Sequence, residues 1–205
     1  MRPTMRLFWL IATVTLLCFM CQSAFADDVT FTPGNGQLNG EENILFHSDQ
    51  MGTLIMGFSN ITNTEVDFSS TTDVLIGHGG QATVSAQYGL INDITITVPS
   101  TNFGGFILNP FHPVNNDDLM VTVVDSMGMH YTFQYGSTNG NNFLTIVDNT
   151  GPDIQSITID SAGGFQDLRQ NRIGDFANQT VPEPSSFMLL GSGLVAAVGY
   201  IRRRR

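Results

Sequence analysis

The chain has 205 residues, 41% of them hydrophobic, and its 18 acidic and 8 basic residues give a formal net charge of −10 at pH 7. It contains no lysine, and residues 27–181 hold 17 of the acids with only Arg169 and Arg172 as cations, which gives that segment a net charge of −15. This composition excludes nucleic-acid binding, which needs clustered basic residues, while the apolar content and length of the segment exclude full disorder and fit one domain.

Residues 1–26 have the three parts of a secretory signal peptide. Residues 1–6 form a short cationic start, residues 7–20 carry no charge, and Ala24 and Ala26 provide the small residues of a cleavage site. The uncharged run has the length of a signal-peptide core and is short for a bilayer span, so an uncleaved membrane anchor is the weaker alternative. We predict export, with a mature chain that begins directly after Ala26.

Both cysteines, Cys18 and Cys21, lie inside this predicted signal peptide. The mature chain would then have no disulfide, no zinc-thiolate site and no thiol nucleophile. An exported domain without disulfides depends on its own hydrophobic core for stability.

The C-terminal region combines an uncharged segment with a cluster of arginines. Residues 185–201 contain no charged side chain, and as a helix they would extend about 25 Å, near the lower limit for crossing a bilayer. They are followed by four cations that stay on the cytoplasmic side of a membrane: Arg202, Arg203, Arg204 and Arg205. The sequence therefore predicts a signal peptide at 1–26, an exported domain at 27–177, and a linker with a transmembrane helix at 178–205.

Directly before this span lie Val181, Pro182, Glu183 and Pro184. The order of a Pro-Glu-Pro site, an apolar span and a terminal arginine cluster resembles the PEP-CTERM sorting tail of Gram-negative bacteria, a tail also labelled as an ice-binding protein C-terminal domain. The resemblance implies transient anchoring in the inner membrane, processing by an exosortase that recognises the Pro-Glu-Pro site, and association with exopolysaccharide and the biofilm matrix. It implies a destination, and it attaches no activity to the rest of the chain.

The two prolines also have a physical effect on the tail. Each proline lacks an amide donor and disfavours helix in the residue before it, so Pro182 and Pro184 stop the membrane helix from extending outward. Glu183 is then presented in extended backbone outside the bilayer, as a processing enzyme requires.

The pattern between residues 27 and 181 has a period close to two, which is typical of β-strands. Residues 93–98 and 156–160 alternate apolar and polar side chains, and 119–124 and 143–147 are β-branched apolar runs of strand length. Further strands are predicted at 43–46, 53–58, 74–77, 83–87, 103–108 and 130–135. Because Gly- and Asn-rich turns separate the strands about every ten residues, we predict an all-β fold, a two-sheet antiparallel β-sandwich of the jelly-roll type.

Two hairpins are predicted within this fold. Strands 119–125 and 129–135 flank a three-residue turn, and strands 143–147 and 154–159 flank a turn rich in Asp and Asn. The last segment before the tail, residues 163–176, is predicted as a closing strand, with a short helix as the alternative.

The exported domain predicted at residues 27–177 is called the body of the protein. No residue pattern in it marks a catalytic centre. Its histidines lack the spacing of a metal site, and the chain has no G-x-S-x-G nucleophile motif. These histidines are His47, His78, His112 and His130. We therefore predict no enzyme activity and no catalytic residue, and polysaccharide hydrolysis by two carboxylates is kept only as a less favoured alternative.

Two acidic loops are weak candidates for calcium, the first at Asp117 and Asp118 and the second at Asp148 and Asp153. Loop oxygens are the ligands that Ca²⁺ prefers, but neither loop has the spacing of an EF-hand. Asp and Asn also favour turns for local reasons, and that interpretation is preferred. We predict no cofactor beyond this calcium candidate, and we expect that a divalent cation would promote association of the acidic body with an anionic matrix.

One candidate ligand face is aromatic. Tyr131, Phe133 and Tyr135 have i,i+2 spacing and share one face of a strand, where Tyr131 and Tyr135 could stack against a sugar. Packing into the core is the preferred alternative. Thr95 and Thr97 also share a face, but a ladder of threonines would have to continue across several strands, which the sequence does not indicate.

The sequence thus predicts an exported surface or extracellular-matrix protein whose β-sandwich is not catalytic. A carbohydrate-binding, lectin-like module is the alternative. The expected partners are an exosortase, the inner membrane and, through the matrix, exopolysaccharide.

Overall fold

The computed structural model describes residues 29–81, 83–114 and 118–176. These residues form sixteen β-strands and no α-helix, which confirms the prediction of an all-β fold. Within the same ranges no helix has the length and apolar character that a membrane span requires. The predicted signal peptide, the processing site and the membrane segment lie outside the described residues.

Most strands are short, and β15, with 15 residues, is much the longest. In chain order the strands are β1 (Val29–Pro33), β2 (Glu42–Phe46), β3 (Gln50–Gly52), β4 (Leu54–Ser59), β5 (Glu65–Ser69), β6 (Leu75–His78), β7 (Gly80–Gln81), β8 (Thr83–Ala86), β9 (Ile91–Thr97), β10 (Phe103–Leu108), β11 (Pro110–Pro113), β12 (Asp118–Asp125), β13 (His130–Gly136), β14 (Leu144–Asp148), β15 (Ile154–Leu168) and β16 (Arg172–Phe176). The predicted strands coincide with β2, β4, β6, β8, β9, β10, β12, β13, β14 and the first half of β15 to within a few residues.

The pairings between these strands are all antiparallel and form one continuous network. The hydrogen-bonded order is β1-β14-β10-β16-β2-β4-β5-β9-β15-β8-β6-β3, and β7, β11, β12 and β13 attach beside this path. The buried apolar residues of these strands form a shared core. The described strands are therefore linked through hydrogen bonds around one core, where the sequence led us to expect two separate sheets.

Strand β15 carries the chain from one part of this network to another. Its first half pairs with β12 and β9, and its end pairs with β8 and β11. The register shifts between Asp160 and Phe165, where Gly164 has a φ of +78° and donates its N–H to Ser161 Oγ at 3.0 Å. A Cβ at Gly164 would lie 2.7 Å from the Cβ of Leu90, so the bend requires glycine.

The core is built by alternation within the central strands. Ile94 of β9 pairs with Ile159 of β15, which pairs in turn with Val121 of β12, and all three side chains are fully buried. The largest fully buried side chains of the same core include Phe46, Phe68, Phe103, Phe106 and Phe165. Burial of each such side chain stabilises the fold by about 1.5–3 kcal/mol, so this core can hold the domain together without disulfides.

The outward face of the central strands carries a row of hydroxyl groups. Thr95 lies opposite Thr158, with 3.0 Å between their Oγ1 atoms, and the strand registers extend the row on both sides. Its members are Ser69, Thr95, Thr158, Thr122 and Thr132. This row arises from the register of distant segments and not from a repeat along the sequence, and Thr97 has no matching row of threonines, because it lies opposite Asp67 and Ser156.

One predicted hairpin is confirmed and the other is wrong. β12 and β13 pair along their length, from Asp118 opposite Gly136 to Val124 opposite His130. β14 does not pair with β15; its neighbours are β1 and β10. Because β14 is buried at nearly all its positions, it fits between two strands inside the network. The prediction of a strand within residues 163–176 is confirmed by the end of β15 and by β16.

Glu42 is a buried carboxylate, 4% exposed, that holds the turn between β4 and β5. Its Oε2 accepts hydrogen bonds from the Thr62 N–H at 2.8 Å, the Thr62 hydroxyl at 3.0 Å and the Ile61 N–H at 3.2 Å. Burial alone raises the pKa of Glu42, but the hydrogen bonds from Ser59, Thr62 and Ile61 outweigh it and lower the pKa. The ionised form of this side chain therefore stabilises the fold.

We predict that Glu42→Gln destabilises the fold by about 2 kcal/mol at neutral pH, since hydrogen bonds to charged groups contribute about 1.5–3 kcal/mol. In the folded state Glu42 titrates below its ordinary pKa of 4.5. Its contribution is therefore complete above that value and is lost as the pH falls through the lowered pKa. Urea unfolding of both proteins from neutral to acidic pH measures the difference.

Glu65→Gln is the matched control, because Glu65 lies in the adjacent strand β5 at a more exposed position. Its free energy of unfolding should stay close to that of the original protein. A deficit in Glu42→Gln that persists unchanged at acidic pH would contradict a role for the ionised carboxylate.

Candidate ligand-binding cleft

A polar cleft with a volume of about 550 Å³ lies where β2 meets the turn between β15 and β16. This volume is within the range of about 300–1,000 Å³ that is usual for small-molecule sites. The lining residues come from the β1–β2 connection, β2, the β4–β5 turn, the residue before β14, the β15–β16 turn and the start of β16. They are Asn35, Glu41, Asn43, Ile44, Leu45, Asn60, Phe143, Gln170, Asn171 and Arg172.

The pairing of β16 with β2 brings these distant segments together. Arg172, the first residue of β16, lies opposite Asn43 of β2 and opposite Ile107 of β10. The Ile44 N–H also donates to the carbonyl of Asn171 at 3.1 Å. The cleft is therefore built on paired strands, and its position follows from the strand register.

An ion pair occupies one wall of the cleft. Glu41 Oε1 and Arg172 Nη1 are 2.6 Å apart, and Arg172 Nη2 also donates to Asn35 Oδ1. The side chains of Arg172 and Glu41 are 17% and 27% exposed, so both are held in place yet can be reached from solvent. Because the two charges cancel, this wall offers strong hydrogen-bonding groups without a net charge.

Exposed amides also line the cleft. Two hydrogen bonds join Asn43 and Asn60: the Asn43 N–H donates to the side-chain Oδ1 of Asn60 at 2.9 Å, and the Asn60 N–H donates to the Asn43 carbonyl at 2.9 Å. Both side chains are exposed. The carboxamide of Asn43 has no hydrogen-bond partner among the described residues, so it is available to a ligand.

Gln170 completes the cleft from the β15–β16 turn, with a φ of +51°. This left-handed conformation costs a residue other than glycine about 1–2 kcal/mol. A buried network supports the turn: Asn109 Nδ2 donates to Gln170 Oε1 at 3.4 Å, and the Arg169 N–H donates to the Asn109 carbonyl at 3.1 Å. A strained backbone of this kind persists where surrounding contacts hold it in place, and such strain is common at binding sites.

The aromatic face predicted from the sequence does not line this cleft. The Tyr131 hydroxyl donates to Asp125 Oδ2 and the Tyr135 hydroxyl donates to the Asn142 carbonyl, each at 3.2 Å. Phe133 stacks on Tyr135, with ring centroids 5.8 Å apart, and burial raises the pKa of Tyr135. These contacts favour the packing alternative for Tyr131 and Tyr135, and their role as a ligand face stays a prediction.

The predicted calcium loops have structural uses in the described part of the chain. Asp148 is 7% exposed, and its carboxylate accepts hydrogen bonds from the N–H groups of Thr150, Gly151 and Asp153. Asp118 Oδ2 accepts from Gln134 Nε2 at 2.8 Å. Within residues 29–81, 83–114 and 118–176 no three His, Cys, Asp or Glu side chains are grouped for a metal ion.

Asp117 lies outside those ranges, and Asp153 Oδ1 accepts from Asn102 Nδ2 at 3.2 Å. The turn-forming interpretation thus accounts for the contacts of Asp148 and Asp153. A bound calcium ion stays a prediction.

Arg169, the second cation of residues 27–181, is also paired. Its guanidinium contacts the Asp167 carboxylate through Nε and through Nη2, the latter at 2.6 Å from Oδ2. The same group lies over the Phe111 ring, with Cζ 3.6 Å from the ring centroid. Arg169 and Arg172 therefore both have carboxylate partners.

The family model of the PEP-CTERM protein-sorting motif matches residues 180–205. This chain carries a PEP-CTERM sorting motif. The match includes the Pro-Glu-Pro site and the arginine cluster, and it confirms the tail identified from the sequence. The PEP-CTERM motif implies a protein that is anchored in a membrane, processed by an exosortase and exported to the surface.

Solved structures similar to the body include carbohydrate-binding modules. A family 29 module complexed with cellulohexaose is 13% identical over 72% of this chain and 89% of its own, with a TM-score of 0.30. The family 11 module of a cellulosomal cellulase of Clostridium thermocellum is 8% identical over 75% of this chain and 91% of its own, with a TM-score of 0.27. No curated protein matches the sequence.

The residues of the cleft all precede the PEP-CTERM motif in the chain, and no sequence pattern indicated them. Glu41, Asn43 and Asn60 come from an early part of the body, whereas Gln170 and Arg172 lie shortly before the motif. The strand register alone brings them together. The one available signal was that Arg172 is among the two cations of an otherwise acidic segment.

Two paired acids of the body, Asp93 and Asp160, have pKa values shifted in opposite directions. Asp93 of β9 lies opposite Asp160 of β15. Burial raises the pKa of Asp93, but hydrogen bonds from Thr71, Thr72 and Ser70 outweigh it and lower the pKa. Burial and the charge of Asp93 raise the pKa of Asp160. Asp93 is therefore engaged in holding the β5–β6 loop, so this pair has a structural use.

Asp160→Asn should therefore stabilise the fold by about 0.5 kcal/mol at neutral pH, because like charges directly opposite in a sheet are destabilising and solvent screens much of the effect here. The folded-state pKa of Asp160 is raised above 3.8, so its ionised form is penalised above the raised value. The gain in Asp160→Asn should vanish as the pH falls below 3.8, which urea unfolding measures. Asp93→Asn should destabilise the protein. A loss of stability in Asp160→Asn would refute the proposed repulsion between the carboxylates of Asp93 and Asp160.

Proposed function

We propose that this protein is exported, held transiently in the inner membrane by its C-terminal segment, processed by an exosortase-type enzyme, and then retained at the cell surface or in an exopolysaccharide matrix. The observation that carries the proposal is the PEP-CTERM sorting motif at residues 180–205. The order of prolines, apolar span and arginines is consistent with an outward-facing processing site and a cytoplasmic end. The body is a non-catalytic, sandwich-like β-domain.

The geometry of the cleft supports a body without hydrolytic activity. Among its lining residues Glu41 is the one carboxylate, and Arg172 holds it in an ion pair. Hydrolysis of a glycosidic bond in the usual way needs two carboxylates on either side of the bond. The cleft therefore supports binding better than cleavage.

Carbohydrate binding by the body is the second candidate function, and the polar cleft is the observation that favours it. Its walls combine exposed amides with a fixed guanidinium and a half-buried aromatic ring, Phe143. Planar polar groups of this kind bind hydroxyl groups well, and matrix polysaccharides are rich in hydroxyls. Retention in such a matrix would follow directly from this binding.

The sorting proposal is tested by replacing Pro182, Glu183 and Pro184 with alanine together. In a host that has an exosortase, we expect this variant to keep its intact tail and stay in the membrane fraction, while the original protein loses its tail. Fractionation and mass spectrometry of the C-terminal peptides measure the outcome. Ser185→Ala with Ser186→Ala is the adjacent control and should be processed normally. Equal processing of the triple variant, or an intact tail in the original protein, would refute the proposal.

A further inference from the structure

We infer that the cleft between β2 and the β15–β16 turn binds an uncharged saccharide. The inference rests on the proposed carbohydrate-binding role of the body, and it adds the site and the class of ligand. It is independent of how the tail is processed.

The negative charge of residues 27–181 and the pairing of both arginines favour an uncharged ligand. Residues 27–181 carry a net charge of −15, so an anionic polymer is repelled from the body as a whole. Within the cleft, Arg172 is neutralised by Glu41, and outside it Arg169 is neutralised by Asp167. No arginine of the described residues is therefore free to bind a uronate, sulfate or phosphate group. A cationic ligand would also gain little binding energy at Glu41, because the guanidinium of Arg172 already lies beside that carboxylate.

The polar groups of the cleft match the chemistry of sugar hydroxyls. A carboxamide presents a donor and an acceptor side by side, and the exposed amides of Asn43, Asn60 and Gln170 supply three such groups. Arg172 adds N–H donors whose direction is fixed by Glu41 and Asn35. Neighbouring hydroxyl groups on a sugar ring are both donors and acceptors, so they can pair with these groups without leaving a charge unbalanced.

The apolar part of the lining matches the other face of a sugar ring. Phe143 is half-buried directly before β14 and lines the cleft. Sugar rings present C–H groups on one face, and these pack against an aromatic ring. A cleft with an aromatic ring and several amides therefore fits a saccharide better than it fits a fully apolar or a fully ionic molecule.

The cleft is largely preorganised, which reduces the entropy lost on binding. Antiparallel pairing of β16 with β2 fixes Arg172 opposite Asn43, and the Asn109 amide supports Gln170 in its left-handed conformation. The Asn43 N–H is bound to Asn60 Oδ1. The backbone of the cleft and the guanidinium of Arg172 are therefore already held in place, while the carboxamide of Asn43 can turn toward a ligand.

The experiment uses the full chain, purified in detergent, and three uncharged β-linked oligosaccharides, of glucose, of mannose and of xylose. A galacturonate oligosaccharide serves as the anionic probe. Binding is measured by calorimetry, and perturbation of side-chain amide signals in NMR spectra locates the site. We expect one or more of the neutral probes to bind and the galacturonate probe not to bind.

Two variants test the site. Gln170→Gly removes an amide and relieves the left-handed backbone, so it should fold at least as well as the original protein. Combined with Asn43→Ala, it should weaken binding by about fivefold or more, the effect of losing one or two hydrogen bonds. Gln166→Ala is the matched control, because Gln166 is an exposed amide on β15 that does not line the cleft. Equal urea midpoints would show that all the variants are folded.

The outcomes separate the inference from the proposals on which it stands. If neutral probes bind and the double variant binds them as tightly as the control, the cleft is the wrong site, while carbohydrate binding by the body stands. If only the anionic probe binds, the choice of a neutral ligand is overturned. If no probe binds, both this inference and carbohydrate binding fail, and the sorting proposal is unaffected.

Discussion

The long strand β15 is the element on which the core, the strand network and the cleft depend. It pairs with β8, β9, β10, β11 and β12, and the bend at Gly164 allows one strand to reach these neighbours. Its residues Ile157 and Ile159 lie in the core, and its end leads directly into the turn that carries Gln170. A change that disturbs this bend would therefore act on the core and on the cleft together.

The acidic composition of the body has a structural use. Glu42 binds the β4–β5 turn, Asp93 binds the β5–β6 loop, and Asp148 binds the loop before β15. In each case a carboxylate accepts hydrogen bonds from nearby backbone N–H and hydroxyl groups, which order a loop without a partner cation. A body whose cations are Arg169 and Arg172 alone can therefore keep its loops ordered through its acids, although its net charge is strongly negative.

Local periodicity was enough to predict most strands, but it could not predict their distant partners. β9 was predicted because it alternates, whereas β5 was missed although it alternates in the same way, with Val66 and Phe68 fully buried, because its acidic residues are rare in strands. The pairing of β14 with β1 and β10 has no local signal. The cleft is hidden for the same reason, because it exists only through the register of β16 on β2. The tail was predicted because its order of groups lies within one short segment.

Charge decides how such a body can be retained outside the cell. Because Arg169 and Arg172 are both paired, the strongly negative body has little to offer an anionic polymer, and repulsion extends over a Debye length of about 8–10 Å. Before processing, the membrane segment holds the protein whatever its body binds. After the proposed removal of the tail, retention has to come from bridging cations or from uncharged contacts. A neutral cleft supplies uncharged contacts. In the proposed pathway it would therefore take over the anchoring that the tail provides at first.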